Sequence, residues 1–215
     1  MNDAKLIWSV PESDELIAYI ARVSNPDNQD NESIEGLLNY MMREGHTSPF
    51  TMINFCVEIN TTRDISRQIL RHWSFDFQEF SQRYEDVSKL GEMVERECRL
   101  QDAKNRQNSI ETSSSDHIGL FRYHQEHVWS IAIEAYNNAL QNGIAKEQAR
   151  ALLPEGLTPT RLYMNGNLRS WIFYLKQRLD PSTQKEHRMI AESILGIFKQ
   201  VAPVTAGAFF DARTI

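Results

Sequence analysis

The sequence predicts an α+β protein, with mixed helices around a small, mainly antiparallel sheet, in a single domain covering residues 1–215. Three observations lead there. Helical periodicity recurs in segment after segment, most with a recognisable start or stop residue. Only two stretches, near residues 51–60 and 157–165, read as extended. Neither an internal repeat nor a linker-like run divides the chain, and its length suits one domain.

The elements follow in order. Residues 12–25 (ESDELIAYIARVSN) place Leu16, Ile17, Ile20 and Ala21 on one helical face. Asn25-Pro26 ends that helix, because the residue before proline is pushed out of the helical region. The polar loop NPDNQDNE leads into a second helix, SIEGLLNYMMREG, closed at Gly45. In residues 51–60, Ile53, Phe55, Val57 and Ile59 alternate with Asn54, Cys56, Glu58 and Asn60, the period of a half-buried strand. Thr62 or Asp64 can cap a helix running to about His72. Residues 85–115 carry no clear period, and CRLQDAKNRQNSIETSSSDH reads as polar chain that includes a mobile loop. A long helix is predicted over about 115–141, ending at Asn142-Gly143, and the short helix AKEQARALL stops at Pro154. LTPTRLYMN is extended. Asn167 caps a helix to about Leu179, which Asp180-Pro181 ends, and a last helix covers 182–201.

Composition narrows the function. Apolar residues make up 41% of the chain, enough for a core, and the formal charge is −6. Proteins that grip nucleic-acid backbones usually carry a basic excess, so that class is disfavoured. The two cysteines, Cys56 and Cys98, are far apart and fit a reduced cytoplasmic protein better than a disulfide scaffold. No apolar run has membrane-spanning length, and MNDAKLIWSVPESDE lacks the pattern of a signal peptide. His124 and His127 lie three apart on the long helix, but no further ligands complete a metal site, so none is expected.

The chemistry concentrates in residues 71–84, RHWSFDFQEFSQRY. In the preceding helix Arg63, Arg67 and Arg71 recur every four residues and stack on one face, with Gln68 beside Arg71 and His72. Taken alone, that is a solvated basic face. The next segment changes its meaning. If it is extended, Glu79, Ser81 and Arg83 project to one side and Phe80, Gln82 and Tyr84 to the other. An acceptor, a hydroxyl and a guanidinium in a row suit a small polar ligand carrying a phosphate. The structural alternative is an ion pair of Glu79 with Arg83 or Arg71.

These residues resemble the signature of the flavin-dependent thymidylate synthases: Arg-His-Arg, seven residues, then Ser. Here it reads Arg71-His72-Trp73 and Ser81, and Glu79 and Gln82-Arg83-Tyr84 continue the match. Trp73 departs from the family's third residue. GHTSPF is similar to the family's segment in which a hydroxyl residue, here Ser48, contacts the flavin. QARALLP resembles the family's Ala-Arg-x-x-Leu-Pro and aligns Arg150 with a nucleotide ligand. NLRSWIFYLKQRLD is similar to Asn-x-Arg-Ser and the helix after it. It aligns Asn167 and Arg169 with flavin contacts and Arg178 with the substrate-activating arginine, while Phe173 replaces a frequent Asn. The similarity covers most of residues 45–205 in order.

The resemblance implies reductive methylation of deoxyuridylate (dUMP) to thymidylate (dTMP), with FAD as cofactor, methylenetetrahydrofolate as carbon donor and NADPH as reductant. It implies a homotetramer with sites shared between subunits. Ser81, Arg83 and Arg150 would take the nucleotide phosphate, with Gln68, Arg71, Glu79 and Gln82 also on the substrate. Ser48, Arg71, His72, Trp73, Glu79, Asn167 and Arg169 would face the FAD. Arg178, as a cation beside the N3 edge of uracil, favours an electron-rich ring. The alternative is a non-catalytic flavin- or nucleotide-binding relative. Ser81 lacks the neighbouring base a nucleophile needs, so it is a binding residue. Neither cysteine has surroundings that would activate a thiolate.

Overall fold

Alternation of apolar and polar residues builds the central strand. Phe55, Val57 and Ile59 are fully buried on one face, while Glu58 and Asn60 on the other remain half-buried. The computed structural model describes residues 1–211. In chain order its strands and helices are β1 (Asp3–Ser9), α1 (Ser13–Ala21), α2 (Glu35–Arg43), β2 (Asn54–Thr62) and α3 (Arg63–Ile69). Then come β3 (Asp76–Glu79), β4 (Arg99–Gln101), β5 (Ser109–Glu111), α4 (Ser115–Gln141) and α5 (Lys146–Ala149). After these come β6 (Pro159–Asn167), α6 (Leu168–Arg178), α7 (Lys185–Val201) and α8 (Pro203–Ala206), followed by a π-helical turn at Gly207–Asp211.

Four strands form one sheet in the order β1-β2-β6-β3, antiparallel throughout, so the expected class and sheet type hold. β2 and β6 pair from Asn54↔Asn167 to Thr62↔Pro159. Their inner residues, with Leu162 and Met164 of β6, meet Trp171, Ile172 and Leu175 of α6 and Ile190, Ile194 and Phe198 of α7 in one core. Trp171 stacks on Phe55 with centroids 4.5 Å apart and donates its indole N–H to the Gly166 carbonyl at 3.0 Å. Each such side chain stabilises the fold by about 1.5–3 kcal/mol through burial.

Several boundaries differ from expectation. β1 was not foreseen: its residues alternate only weakly, yet they complete the edge of β2. α3 stops at Ile69, three residues before His72, and the chain turns there. α7 begins at Lys185 rather than at residue 182, because Asp180 accepts hydrogen bonds from Ser182 and holds residues 180–183 in a turn. The polar segment expected to include a mobile loop contains the antiparallel hairpin β4–β5. Arg99 of this hairpin makes two hydrogen bonds, 2.7 and 2.9 Å, to buried Glu186 at the start of α7. The predicted limits of α4 agree: Ser114 caps its start and Gly143, with φ 80°, follows its end. This helix buries only Gln125, Ala132 and Tyr136 among its 27 residues. At the end of β6, Gly166 has no side chain because the Phe75 ring occupies the space that a Cβ would need.

Candidate active site

The two halves of the signature flank β3: Arg71-His72-Trp73 lie in the turn between α3 and that strand, and Ser81 follows the strand. β3 is only four residues long and pairs with β6 from Asp76↔Asn165 to Glu79↔Leu162. Beyond it the chain turns. The N–H groups of Tyr84 and Glu85 both donate to the Ser81 carbonyl at 3.0 Å. The expected one-sided row of Glu79, Ser81 and Arg83 is therefore not formed. A strand that has already spent its pairing with β6 cannot extend through a hydrogen-bonded turn.

Glu79 looks inward. Its Oε1 accepts from Arg63 Nη1 at 2.8 Å, Ser66 Oγ at 2.6 Å and Thr160 Oγ1 at 3.0 Å. Its ion-pair partner is Arg63, not Arg83 or Arg71. The predicted stack of three arginines is thus divided. Arg63 is buried as a brace, Arg67 is exposed and 3.4 Å from Glu155, and Arg71 lies past the helix end in solvent.

Arg83 and Arg150 come together although 67 positions separate them. Arg83 reaches Glu147 at 3.4 Å, and Arg150 donates to the Glu147 backbone carbonyl at 3.3 Å. An exposed pair of this kind contributes only about 0–1 kcal/mol. Both guanidiniums are thus free to turn to a stronger anion. Ser81 is half-buried beside this group in sequence, and Gln82 is buried.

A second cluster forms where the turn meets the end of α6. Arg71, His72, Trp73, Ser74, Gln177 and Arg178 line a cavity of about 260 Å³. Arg178 Nε donates to His72 Nε2 at 3.0 Å. Burial, then the positive charges of Arg178 and Arg71, push the His72 pKa down to about 4, so its ring is neutral. His72 also lies edge-on to the buried Tyr174 ring at 4.8 Å. Gln68 donates to Gln184 at 2.8 Å and faces His187 Nδ1 at 3.3 Å. A larger cavity of about 880 Å³ opens beside Gln184, between hairpin β4–β5, α4 and the start of α7.

Of the flavin-side residues, Arg71, His72 and Trp73 line the small cavity, whereas Ser48, Asn167 and Arg169 do not. Ser48 and Arg169 are exposed. Asn167 caps α6, its side chain accepting from the Ser170 N–H at 3.0 Å, as expected from sequence. Trp73 is 93% exposed and Phe173 61%. The donors fit part of a flavin dinucleotide. The small cavity holds two guanidiniums and no carboxylate, a set suited to an anionic, acceptor-rich group. Its volume is below the roughly 300–1,000 Å³ of sites for drug-sized ligands, so the rest of so large a cofactor needs other surfaces.

Tyr174, Gln184, Glu186 and His187 escaped the sequence reading. A signal was present for His187: with Ile190 and Ile194 it falls on the apolar face of α7, where a histidine is out of place. Cys56 is buried and Cys98 half-buried, both unpaired. Among the described residues no His, Cys, Asp and Glu group is placed to hold a metal, and no helix is long and apolar enough to cross a membrane.

Comparison with known proteins identifies the family. The family model described as thymidylate synthase complementing protein matches residues 5–204. A flavin-dependent thymidylate synthase of Synechocystis is 50% identical over 193 residues, covering 90% of this chain and 87% of that protein. A probable flavin-dependent thymidylate synthase of Paramecium bursaria Chlorella virus 1 is 44% identical, covering 94% and 93%. Among solved structures, the UMP/dUMP methylase PolB from Streptomyces cacaoi, bound with 5-Br dUMP, superposes with a TM-score of 0.85 at 29% identity, covering 97% of this chain and 94% of that one. With a family model matching residues 5–204 and a relative 50% identical over 90% of this chain's length, the chain belongs to the flavin-dependent thymidylate synthase family.

Proposed function

We propose that this protein methylates dUMP to dTMP reductively, with FAD as cofactor, methylenetetrahydrofolate as carbon donor and NADPH as reductant. The observation that carries this reading is the convergence of Arg71, His72 and Arg178 on one carboxylate-free cavity, one turn of α3 from Gln68. FAD, when bound, supplies the two-electron chemistry. Arg71, His72 and Trp73 would hold it, with Ser48, Asn167 and Arg169 contributed across a subunit boundary.

The chain's own residues account for the substrate. Arg83 and Arg150 are held only by a weak exposed contact with Glu147, and they exchange it for the dUMP phosphate, with Ser81 adding a hydrogen bond. Arg178 is oriented by neutral His72 and directs its remaining N–H groups to the N3 edge of uracil. Positive charge there stabilises negative charge developing on the ring and makes C5 the nucleophile. His72 accepts at Nε2 and keeps that guanidinium aimed. Glu79 braces α3 against β3, so its contribution to the ligands is through placement of the turn. A homotetramer fits the exposed apolar residues of α4, among them Leu120, Phe121 and Ile131, and a cytoplasmic location fits the two unpaired cysteines.

The test is direct. Purified protein should be yellow, bleach with NADPH, and form dTMP from dUMP only when methylenetetrahydrofolate is present. Bound flavin that turns over no dUMP would leave the non-catalytic reading, and colourless protein unable to take up FAD would overturn both.

A further inference from the structure

A chain of hydrogen bonds runs beneath the site and is anchored at one end by a carboxylate. Glu186 is 4% exposed and receives two hydrogen bonds from Arg99. Burial opposes its charge, but its backbone contact, Arg99 and Gln184 together hold it below the usual carboxylate range, so it is ionised and can only accept. Each successive partner then has one allowed orientation. Gln184 must turn its NH₂ group to Glu186, at 3.0 Å, which leaves its Oε1 facing Gln68. Gln68 must present its own NH₂ there, at 2.8 Å, which turns its Oε1 to His187 Nδ1. The proton of His187 is therefore on Nδ1. Its Nε2 accepts from the Tyr174 hydroxyl, 3.1 Å away. His187 is 0% exposed and Tyr174 1%, so both are removed from bulk solvent. Burial, then Arg178 and His72, push the His187 pKa down to about 3, and burial pushes the Tyr174 phenol up. Both groups keep the neutral forms that the chain requires.

We propose that Gln184, oriented by Glu186, and His187, oriented by Tyr174, are positioning residues that clamp the Gln68 amide in one sense and thereby make the site read uracil rather than cytosine. This rests on the functional reading above, with Gln68, one of the residues expected on the substrate, taken to meet the pyrimidine. The two bases differ at C4: uracil carries an oxygen that only accepts, cytosine an amine that donates. An amide free to rotate can serve either. An amide whose Oε1 is held by His187 offers the remaining N–H of Nε2, which suits the C4 oxygen and opposes the amine. Discrimination by a fixed polar group of this kind is much stronger than discrimination by shape. Tyr174 adds a second link, since its ring packs against His72 and its hydroxyl fixes His187.

The experiment compares dUMP and deoxycytidylate (dCMP) affinities of the holoenzyme by titration. In the double variant Gln184→Leu/His187→Leu, which removes both partners of the Gln68 amide, the ratio of dCMP to dUMP dissociation constants should fall at least about tenfold. In His187→Gln, which can still accept from Tyr174 and donate to Gln68, the ratio should stay within about threefold of wild type. Gln184→Leu/Tyr174→Phe, which frees the His187 tautomer by removing a single oxygen, stands in for the first double variant should that one fail to fold. Both nucleotides weakening in parallel, with the ratio unchanged, would mean that the chain only supports the fold and would overturn the proposal. Nitrogen-15 NMR of histidine-labelled wild type gives a readout independent of substrate. A proton on His187 Nδ1 is expected, and a proton on Nε2 overturns the proposal by itself. Wild-type protein that shows the Nδ1 tautomer but binds no dUMP would remove the functional reading, and this inference with it.

Discussion

Replacing Glu79 with alanine tests whether this residue braces the site or faces the ligands. The Arg63 guanidinium is 8% exposed and lies 2.8 Å from Glu79 Oε1, which also takes the hydroxyls of Ser66 and Thr160. Removing one partner of a buried ion pair costs about 3–5 kcal/mol, because the other charge is left without compensation. The two orphaned hydroxyls add to this less than additively, since all four groups share one atom. We expect a loss of about 4 kcal/mol. For a chain of this size each kcal/mol lowers the melting temperature by roughly 2–4 °C, so the fall should be about 8–16 °C. Glu79→Gln keeps the shape and an acceptor and should lose about half as much. The assay is thermal unfolding followed by circular dichroism, without ligands and at one protein concentration, since assembly adds to apparent stability. A melting temperature for Glu79→Ala within 2 °C of wild type would refute this account of α3 and β3, and would return Glu79 to the ligand-facing role.

Acid should destabilise the protein in a defined window. His72 and His187 are held neutral, with pKa values of about 4 and 3, against roughly 6.5 in the unfolded chain. Between those limits the unfolded state binds more protons, so stability is unaffected by these groups above about pH 6.5 and falls as the pH drops toward 4, by up to about 3 kcal/mol for each. A melting temperature that stays level from pH 6.5 to 4.5 contradicts the buried neutral rings. Arg83→Ala should weaken dUMP binding by about 1.5–3 kcal/mol, as for a charged hydrogen bond, whereas Glu147→Gln should leave it equal or tighter by releasing Arg83 from its ion pair. Calorimetry checks the pair, and equal affinity in Arg83→Ala removes that residue from the phosphate site. Cys56→Ser with Cys98→Ser should keep most turnover, because burial pushes the Cys56 thiol up and away from a reactive thiolate. Lost turnover with FAD still bound would implicate a thiol in the chemistry.

The sequence was most informative where period and punctuation agree. The alternation of Phe55, Val57 and Ile59 found β2, the Asn167 cap found α6, and Ser114 and Gly143 bracket α4. It was least informative where long-range pairing decides. β1 exists because β2 offers it an edge, and no residue in 3–9 announces that. Glu79 was placed on the wrong side because its partner, Arg63, comes from the helix before the turn, and local alternation says nothing about a chain reversal. Arg83 and Arg150 were both legible as cations, but their meeting at Glu147 depends on how α5 packs beneath the turn after β3. His187 was missed for a similar reason. Its partners lie 13 and 119 positions away, on α6 and α3.

The bare Cα at position 166 has a consequence for how tightly the arginine turn is moored. Phe75 fills the vacancy there and wedges its ring against Trp171 at 4.6 Å, four residues after Arg71 and three after His72. Even a methyl group at this point would lift the aromatic wedge off the sheet and tow the neighbouring guanidinium with it. Gly166→Ala should therefore injure ligand affinity from beneath, without altering any group that faces the solvent side of the turn.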